Sequence, residues 1–235
     1  MGKLILARHG KSLWNIENIF TGWTDIDLAS EGIKEAKETG ELIKENNLSI
    51  DICFSSYLKR AIKTACIMLE TADMMFINSI KSWKLNERNY GAWQGRHKDE
   101  VRKEVGEDVF WQIRRGFKTA PPALSIDDER HPKFDSKYKV LNPTFLPLSE
   151  SLEDTKRRVV QYFFEAIVPQ LAKNKTVLVS AHGNSIRSLI SHIEDIDKYD
   201  ISKVEVQTAV PKVYEFDNNL NLTNNYQLNT SAIII

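Results

Sequence analysis

Cysteine is scarce, net charge is nil and apolar runs are short, and each shortage closes off a class of protein. Only two of the 235 residues are cysteines, Cys53 and Cys66. Their spacing fits neither a zinc site nor a disulfide framework, and their apolar surroundings suit free, buried thiols. Lysine plus arginine number 32, and so do aspartate plus glutamate. That balance argues against a nucleic-acid binder driven by bulk charge and against an acidic solvating tail, while leaving room for a local basic pocket. No stretch approaches the roughly 18 apolar residues of a membrane span, and Arg8 interrupts the apolar run nearest the start. Leu6 stands where an N-myristoylation signal needs Ser or Thr. The expectation is a cytoplasmic protein with neither nucleic acid nor membrane as partner. No cluster of Asp, Glu and His has metal-ligand spacing, so metal-free chemistry is expected. Gly10-Lys11-Ser12 is not a P-loop, because Ile5 occupies the place of that motif's first glycine.

What is present reads as alternating strands and helices without repeats or low complexity. A chain of this length can bury ~70–75% of its unfolded surface in one core. Lys3–Ala7 predicts a buried strand ending at Arg8-His9-Gly10. Ser30 is expected to cap a helix reaching about Asn46, with Ile33, Ala36, Leu42 and Ile43 on one face. Asp51–Ser56 predicts a second strand, and residues 58–69 a helix with Ile62, Ala65 and Leu69 on its core face. Residues 84–96 read as a loop, and 97–105 and 107–117 as amphipathic segments. Residues 118–148 hold five of the seven prolines and predict a long excursion outside the core. Ser151 and Asp154 form a capping-box start for a helix to about Ala172, bent or ended early by Pro169. Thr176–Ala181 predicts a third buried strand, followed by a helix from Ser185 and a late strand over Lys212–Phe216. The pattern predicts one α/β domain over 1–235, a three-layer arrangement with a mostly parallel sheet flanked by helices.

Two strands share one design: LILARHG at 4–10 and VLVSAHG at 177–183 each run from apolar residues into a histidine and a glycine. Ligands of open α/β sheets bind beyond the carboxyl ends of the strands. Parallel strands would therefore deliver His9 and His182 to one edge. Arg8 precedes the first histidine, Ser12 and Asn15 follow it, and Arg60 follows the second strand. Guanidinium forks match phosphate oxygens. A neutral imidazole among them is suited to attack phosphorus, provided its other nitrogen's proton is held by a carbonyl or carboxylate. The competing reading for each histidine is a satisfied structural residue, and a lone arginine is more often a surface salt bridge; the convergence of three strand ends favours a site.

The runs ARHGKSLWN (7–15), FTGWTD (20–25), LKRA (58–61), LNERNYG (85–91), IRRGF (113–117) and AHGN (181–184) together resemble the cofactor-dependent phosphoglycerate mutases of the histidine phosphatase superfamily. The resemblance covers nearly the whole chain. It implies His9 as the phosphorylated nucleophile, Glu87 as general acid and base, His182 as stabiliser of the transferring phosphoryl group, and Arg8 and Arg60 as phosphoryl clamps. It implies substrate contacts from Ser12, Asn15, Thr21, Gly22, Arg88, Asn89, Tyr90, Lys98, Arg114, Arg115, Gly183 and Asn184. It further implies 3-phosphoglycerate and 2-phosphoglycerate as small-molecule substrates, priming by 2,3-bisphosphoglycerate, and a homodimer or homotetramer. Tyr57, Leu58, Met74 and Trp83 suit either a subunit contact or the core. The excursion at 118–148 and the chain end NTSAIII, taken as a tail free to move, are candidates for excluding water.

Four positions depart from the family pattern. Asn89 replaces a histidine, Lys11 a glutamate or glutamine, Ala209 a glycine and Trp93 a smaller aliphatic residue. Two other readings stay open: a phosphatase of the same superfamily, and a catalytically weak phospholigand-binding module. FTGWTD and the Arg114–Arg115 pair favour the mutase over the first. The set of two histidines, one carboxylate and several arginines argues against the second, because binding alone needs neither nucleophile nor acid.

Overall fold

The apolar strands have no polar face because both of their faces are covered. In the computed structural model, which describes residues 1–228, β1 (Gly2–Arg8), β2 (Ile52–Ser55), β3 (Asn78–Lys81), β4 (Thr176–Ala181), β5 (Lys212–Phe216) and β6 (Leu222–Gln227) form one sheet in the order β3-β2-β4-β1-β5-β6. The first four are mutually parallel, while β5 runs antiparallel to β1 and β6 antiparallel to β5. Side chains alternate across the sheet. Leu4, Leu6, Phe54 and Val179 enter one core, against α6 (Leu152–Tyr162) and α8 (Gly183–Ile193). Ile5, Ala7, Cys53 and Leu178 enter the other, against α2 (Ser30–Glu45) and α3 (Lys59–Thr71). This is the expected three-layer α/β arrangement, and continuous apolar runs are what doubly covered parallel strands require. No helix among the described residues is long and apolar enough to cross a membrane.

Several local expectations need correction. Ala29, not Ser30, is the N-cap of α2, and the Ser30 hydroxyl donates to Glu31 instead. Ile33 is exposed; the helix packs through Gly32, Ala36, Thr39, Gly40 and Ile43. Cys53 is buried, but Cys66 is exposed. The helix capped by Ser151 and Asp154 does not continue smoothly to Ala172. It widens into a π turn at Phe163–Ile167 before a short helix at Val168–Leu171. Pro169 has no N–H to give to the preceding turn, and the wider turn absorbs that break. The helix after β4 begins at Gly183, directly after His182. Residues 118–148 are partly core: Tyr138 and Leu146 pack with Trp23, and the Tyr138 ring stacks on Trp23 at 5.2 Å between centroids. The chain end NTSAIII lies outside the described residues.

The turn that follows β1 is fixed by close backbone contact. A Cβ on Gly10 would lie 2.2 Å from the Gly32 carbonyl oxygen, and one on Gly32 would lie 2.1 Å from that of Lys11. The two glycines let the loop and the start of α2 interlock. Lys11 projects outward: its ammonium pairs with Glu35 at 3.4 Å, away from the pocket.

Ala209 occupies a left-handed conformation, φ +54°, that would suit the family's glycine. Its N–H donates to the Arg8 carbonyl at 3.1 Å and its carbonyl accepts from the Thr39 hydroxyl at 2.6 Å. Ala209→Gly should relieve about 1–2 kcal/mol of local strain, offset in part by about 0.4–1 kcal/mol of added unfolded-state freedom. A urea-denaturation midpoint above that of the parent protein is the expected outcome.

Candidate active site

Register places the two histidines. Arg8 pairs with Ala181 in the β1–β4 ladder, and the His9 N–H donates to the Ala181 carbonyl at 3.0 Å. One residue further on, the rings of His9 and His182 lie 4.9 Å apart, edge to face. Both are buried at the carboxyl edge of the sheet. His9 Nδ1 lies 2.7 Å from the Gly10 carbonyl oxygen. A carbonyl only accepts, so Nδ1 carries the proton and Nε2 keeps its lone pair. Burial, then Arg60 and Arg8, push the His9 pKa well below its ordinary value. The imidazole is therefore neutral and nucleophilic at Nε2. Burial and the same arginines, with His9, also hold His182 neutral. Its Nε2 is 2.7 Å from the Ser56 hydroxyl, which in turn accepts the Leu58 N–H at 3.1 Å.

His9 opens into a cavity lined by Arg8, Asn15, Thr21, Gly22, Arg60, Glu87, Tyr90, Lys98, Arg114, Arg115, Gly183 and Asn184. Arg8 donates through Nη1 to the Val206 carbonyl at 2.8 Å, while its buried Nε has no partner among the described residues. Arg60 donates to the carbonyls of Thr24 and Gly22 at 2.9 and 2.8 Å. Burial pushes its guanidinium down to about 10, so it stays charged at neutral pH. Glu87 is the carboxylate of this wall. Its Oε1 accepts the N–H groups of Arg88 at 2.7 Å and Asn184 at 3.1 Å. A Cβ on Gly183 would stand 3.6 Å from Glu87 Oε2 and 3.7 Å from Arg8 Cζ, in the space between carboxylate and guanidinium. The far wall is cationic too. Burial, then Arg114 and Arg8, push Lys98 down to about 8. Among the described residues no group of three or more His, Cys, Asp and Glu side chains could hold a metal ion.

Three residues expected at the substrate do not line this cavity. Ser12 is buried as the N-cap of a short helix, Leu13–Ile16, accepting the Asn15 N–H at 3.2 Å. Arg88 turns away to the carbonyls of Ile113 and Arg114, both at 2.9 Å. It thereby holds the end of α5 (Glu107–Arg115; α4 is Lys98–Val105), from which Arg114 and Arg115 project. Asn89 is consumed by a turn, donating to the Pro147 carbonyl at 3.0 Å and accepting the Gly91 N–H at 2.8 Å. Trp93 is buried against Phe20 and Phe110, behind the wall.

Sequence reading missed Arg187, which lines the cavity, and the buried pair that holds the Glu87 loop. Arg158 grips Glu150 through two bonds, Nε to Oε1 at 2.6 Å and Nη2 to Oε2 at 2.8 Å. The same guanidinium donates to the carbonyls of Lys84, Asn86 and Glu87 at 2.8, 2.9 and 2.8 Å. Glu150 also accepts the Asn89 N–H at 2.8 Å. Trp23 adds a bond from its indole to the Glu87 carbonyl at 2.6 Å. The only sequence signal was an arginine at a core-facing position of α6.

Comparison with known proteins gives a consistent neighbourhood. The model of the histidine phosphatase superfamily (branch 1) matches residues 4–227. The chain is 51% identical over 228 residues to the 2,3-bisphosphoglycerate-dependent phosphoglycerate mutase of Nautilia profundicola, covering 97% of this chain and 100% of that one. It is 46% identical, with the same coverage, to the 2,3-bisphosphoglycerate-dependent phosphoglycerate mutase of Staphylococcus carnosus. Among solved structures, a mycobacterial glucosyl-3-phosphoglycerate phosphatase shares the fold, with a TM-score of 0.72, 18% identity and 97% coverage of both chains.

Arg158→Met leaves Glu150 as a buried carboxylate without its cation and takes a donor from the carbonyls of Lys84, Asn86 and Glu87, of which Glu87 keeps the Trp23 indole. Equilibrium urea unfolding should show a loss of about 3–5 kcal/mol. The double variant Arg158→Met/Glu150→Met should recover part of it, since no buried charge is then stranded.

Proposed function

The chain belongs to the histidine phosphatase superfamily (branch 1), and we infer that it interconverts 3-phosphoglycerate and 2-phosphoglycerate through a phosphohistidine; its full-length relatives are named 2,3-bisphosphoglycerate-dependent phosphoglycerate mutases. The observation that carries this reading is a neutral His9, its Nε2 free, in a pocket where Arg60 and Arg8 are the charges acting on it and where Lys98, Arg114 and Arg115 form a second set of lining cations. A phosphatase needs one anion subsite; a phosphoglycerate brings two anionic groups. The unpartnered Arg8 Nε and the gap beside Gly183 suit a phosphorylated acid in this place.

When bound, 2,3-bisphosphoglycerate supplies the phosphoryl group that primes His9. Arg8 and Arg60 hold the oxygens of that group in line with Nε2, and Gly183 and Asn184 line its edge. Glu87 takes the proton of the substrate 2-hydroxyl as the N–P bond at His9 breaks and the new O–P bond forms. In the return half, His9 Nε2 attacks the phosphorus at the 3-position, the O–P bond there breaks, and Glu87 gives its proton to the freed oxygen. His182 donates to, and orients, the group in flight. Phosphoryl transfer is chiefly positioning and charge stabilisation, and these cations supply the charge that a metal ion supplies elsewhere. We accordingly propose metal-independent turnover.

Tyr90, Lys98, Arg114 and Arg115 are proposed to hold the rest of the substrate. A homodimer or homotetramer and a cytoplasmic location belong to the same proposal. The subunit contact is better supported at the β3 edge than at the core-packed Leu58. All four residues of β3 are exposed, and Met75, Phe76 and Ile80 present apolar surface there.

Phosphorus NMR of 3-phosphoglycerate with catalytic 2,3-bisphosphoglycerate, in EDTA, should show 2-phosphoglycerate accumulating. Release of inorganic phosphate without the isomer would sink the mutase reading. His9→Ala should lose about 10³-fold or more, and Glu87→Gln about 10²–10⁴-fold in kcat. A second test uses Lys98. Its lowered pKa means the charge is present below about pH 8 and lost above it. The value of kcat/KM, which reports the free enzyme, should fall above about pH 8, and Lys98→Arg should move that limb to higher pH.

A further inference from the structure

Arg187 lies in none of the motifs that carry the family resemblance, yet it is the buried cation of the pocket's far wall. It sits on the second turn of α8, 8% exposed, while Lys98, Arg114 and Arg115 are half-buried. Its Nε donates to the Val204 carbonyl at 2.9 Å and its Nη1 to Asn184 Oδ1 at 2.7 Å. Nη2 makes no hydrogen bond to the described residues, and none of their carboxylates pairs with the guanidinium. Arg88 shows the alternative. Both of its terminal nitrogens bond carbonyls, and it does not line the cavity.

A buried guanidinium without a counter-charge is costly. Here the cost is raised by a neighbour of like sign: burial and then Arg115 push Arg187 down to about 10, against a smaller opposing pull from Tyr90 and Glu87, neither of which is in ion-pair contact with it. Two cations crowded in this way, with donors turned to one cavity, form a seat for an anion. The charges that act on His9 are Arg60 and Arg8; Arg187 and Arg115 are not among them.

We propose that Arg187, with Arg115, holds the substrate group that is not being transferred, the carboxylate of the phosphoglycerate, and so selects phosphate esters that carry a second anion. The assignment rests on the mutase reading and adds a specificity-determining residue to it. The guanidinium also fixes Asn184, which donates through Nδ2 to the Tyr90 hydroxyl at 3.1 Å and through its N–H to Glu87 Oε1. Filling the far subsite is thereby joined, through one side chain, to the carboxylate that handles the proton.

Calorimetric titration of the dephosphorylated protein tests this with two ligands of similar size. 3-Phosphoglycerate carries the carboxylate, and glycerol 3-phosphate lacks it. The parent protein should prefer the first. Arg187→Met should reduce that preference about 10- to 100-fold, the range of a charge-assisted, forked contact, with the loss falling on 3-phosphoglycerate. Arg187→Lys keeps the charge without the fork and should reduce it about 3- to 10-fold, which provides the test if the methionine variant does not fold. An unaltered preference in the folded variant overturns the inference, whether both ligands keep their affinity or lose it equally, since a structural role would act on both alike. Isomerisation by the parent protein is measured in the same preparation. A parent that isomerises beside an Arg187→Met with intact preference removes this inference alone. A parent that does not isomerise, beside a variant with lost preference, removes the mutase reading and leaves the second-anion seat.

Discussion

Three buried arginines of the pocket are anchored by main-chain carbonyls instead of carboxylates, and the pocket depends on that choice. Arg8 bonds Val206, Arg60 bonds Gly22 and Thr24, and Arg187 bonds Val204. A carbonyl orients a guanidinium without neutralising it. Had carboxylates done the work, the cavity would be electrically quiet and an incoming phosphate would have to displace an internal partner. As built, the charge is held still and left for the ligand to balance, the preorganised arrangement that favours phosphoryl transfer. Arg158 is the instructive exception. It has a carboxylate partner, Glu150, and it stands outside the cavity, bracing the loop that carries Glu87.

The same cations set the protonation state of His9. Burial and two guanidinium groups keep His9 neutral, and the Gly10 carbonyl fixes which nitrogen is bare. In the proposed mechanism, charge placed to bind phosphate also prepares the atom that attacks it. The residues 118–148 serve this arrangement from behind. Tyr138 stacks on Trp23 and accepts from Asn86 at 2.8 Å, and the Trp23 indole holds the Glu87 carbonyl. They line no part of the cavity itself, so they act as a brace for its wall.

How much of this was legible in the sequence varied with the physical reach of each signal. Strands β1 and β4 were, because a doubly buried strand must be apolar throughout and each ended in the same His-Gly pair. Cavity residues such as Glu87, Arg114 and Arg115 were reached through family motifs, which preserve spacing. Strand β3 was not: its four residues, NSIK, are all exposed and carry no apolar pattern. The motif also swept in Ser12, Arg88 and Asn89, whose side chains turn to backbone partners, since a contiguous run does not reveal which way each residue faces. Arg187 and Arg158 escaped for the converse reason. A single arginine in a helix has no local signature, and its meaning comes from partners distant in the chain.

The strand order has a consequence for how the molecule comes into being. β1 and β2 are separated in the sheet by β4, so they never pair with each other. The central slot stays open until residues 176–181 have been made and inserted. Closing so long a stretch of chain before the central pairing can reward it is slow relative to local folding. Everything synthesised earlier, including His9, Arg60 and Glu87, waits on that one insertion. His9 is among the first residues made and His182 arrives directly after β4, the strand that joins β1 to β2, so the two rings meet only once that central pairing has formed.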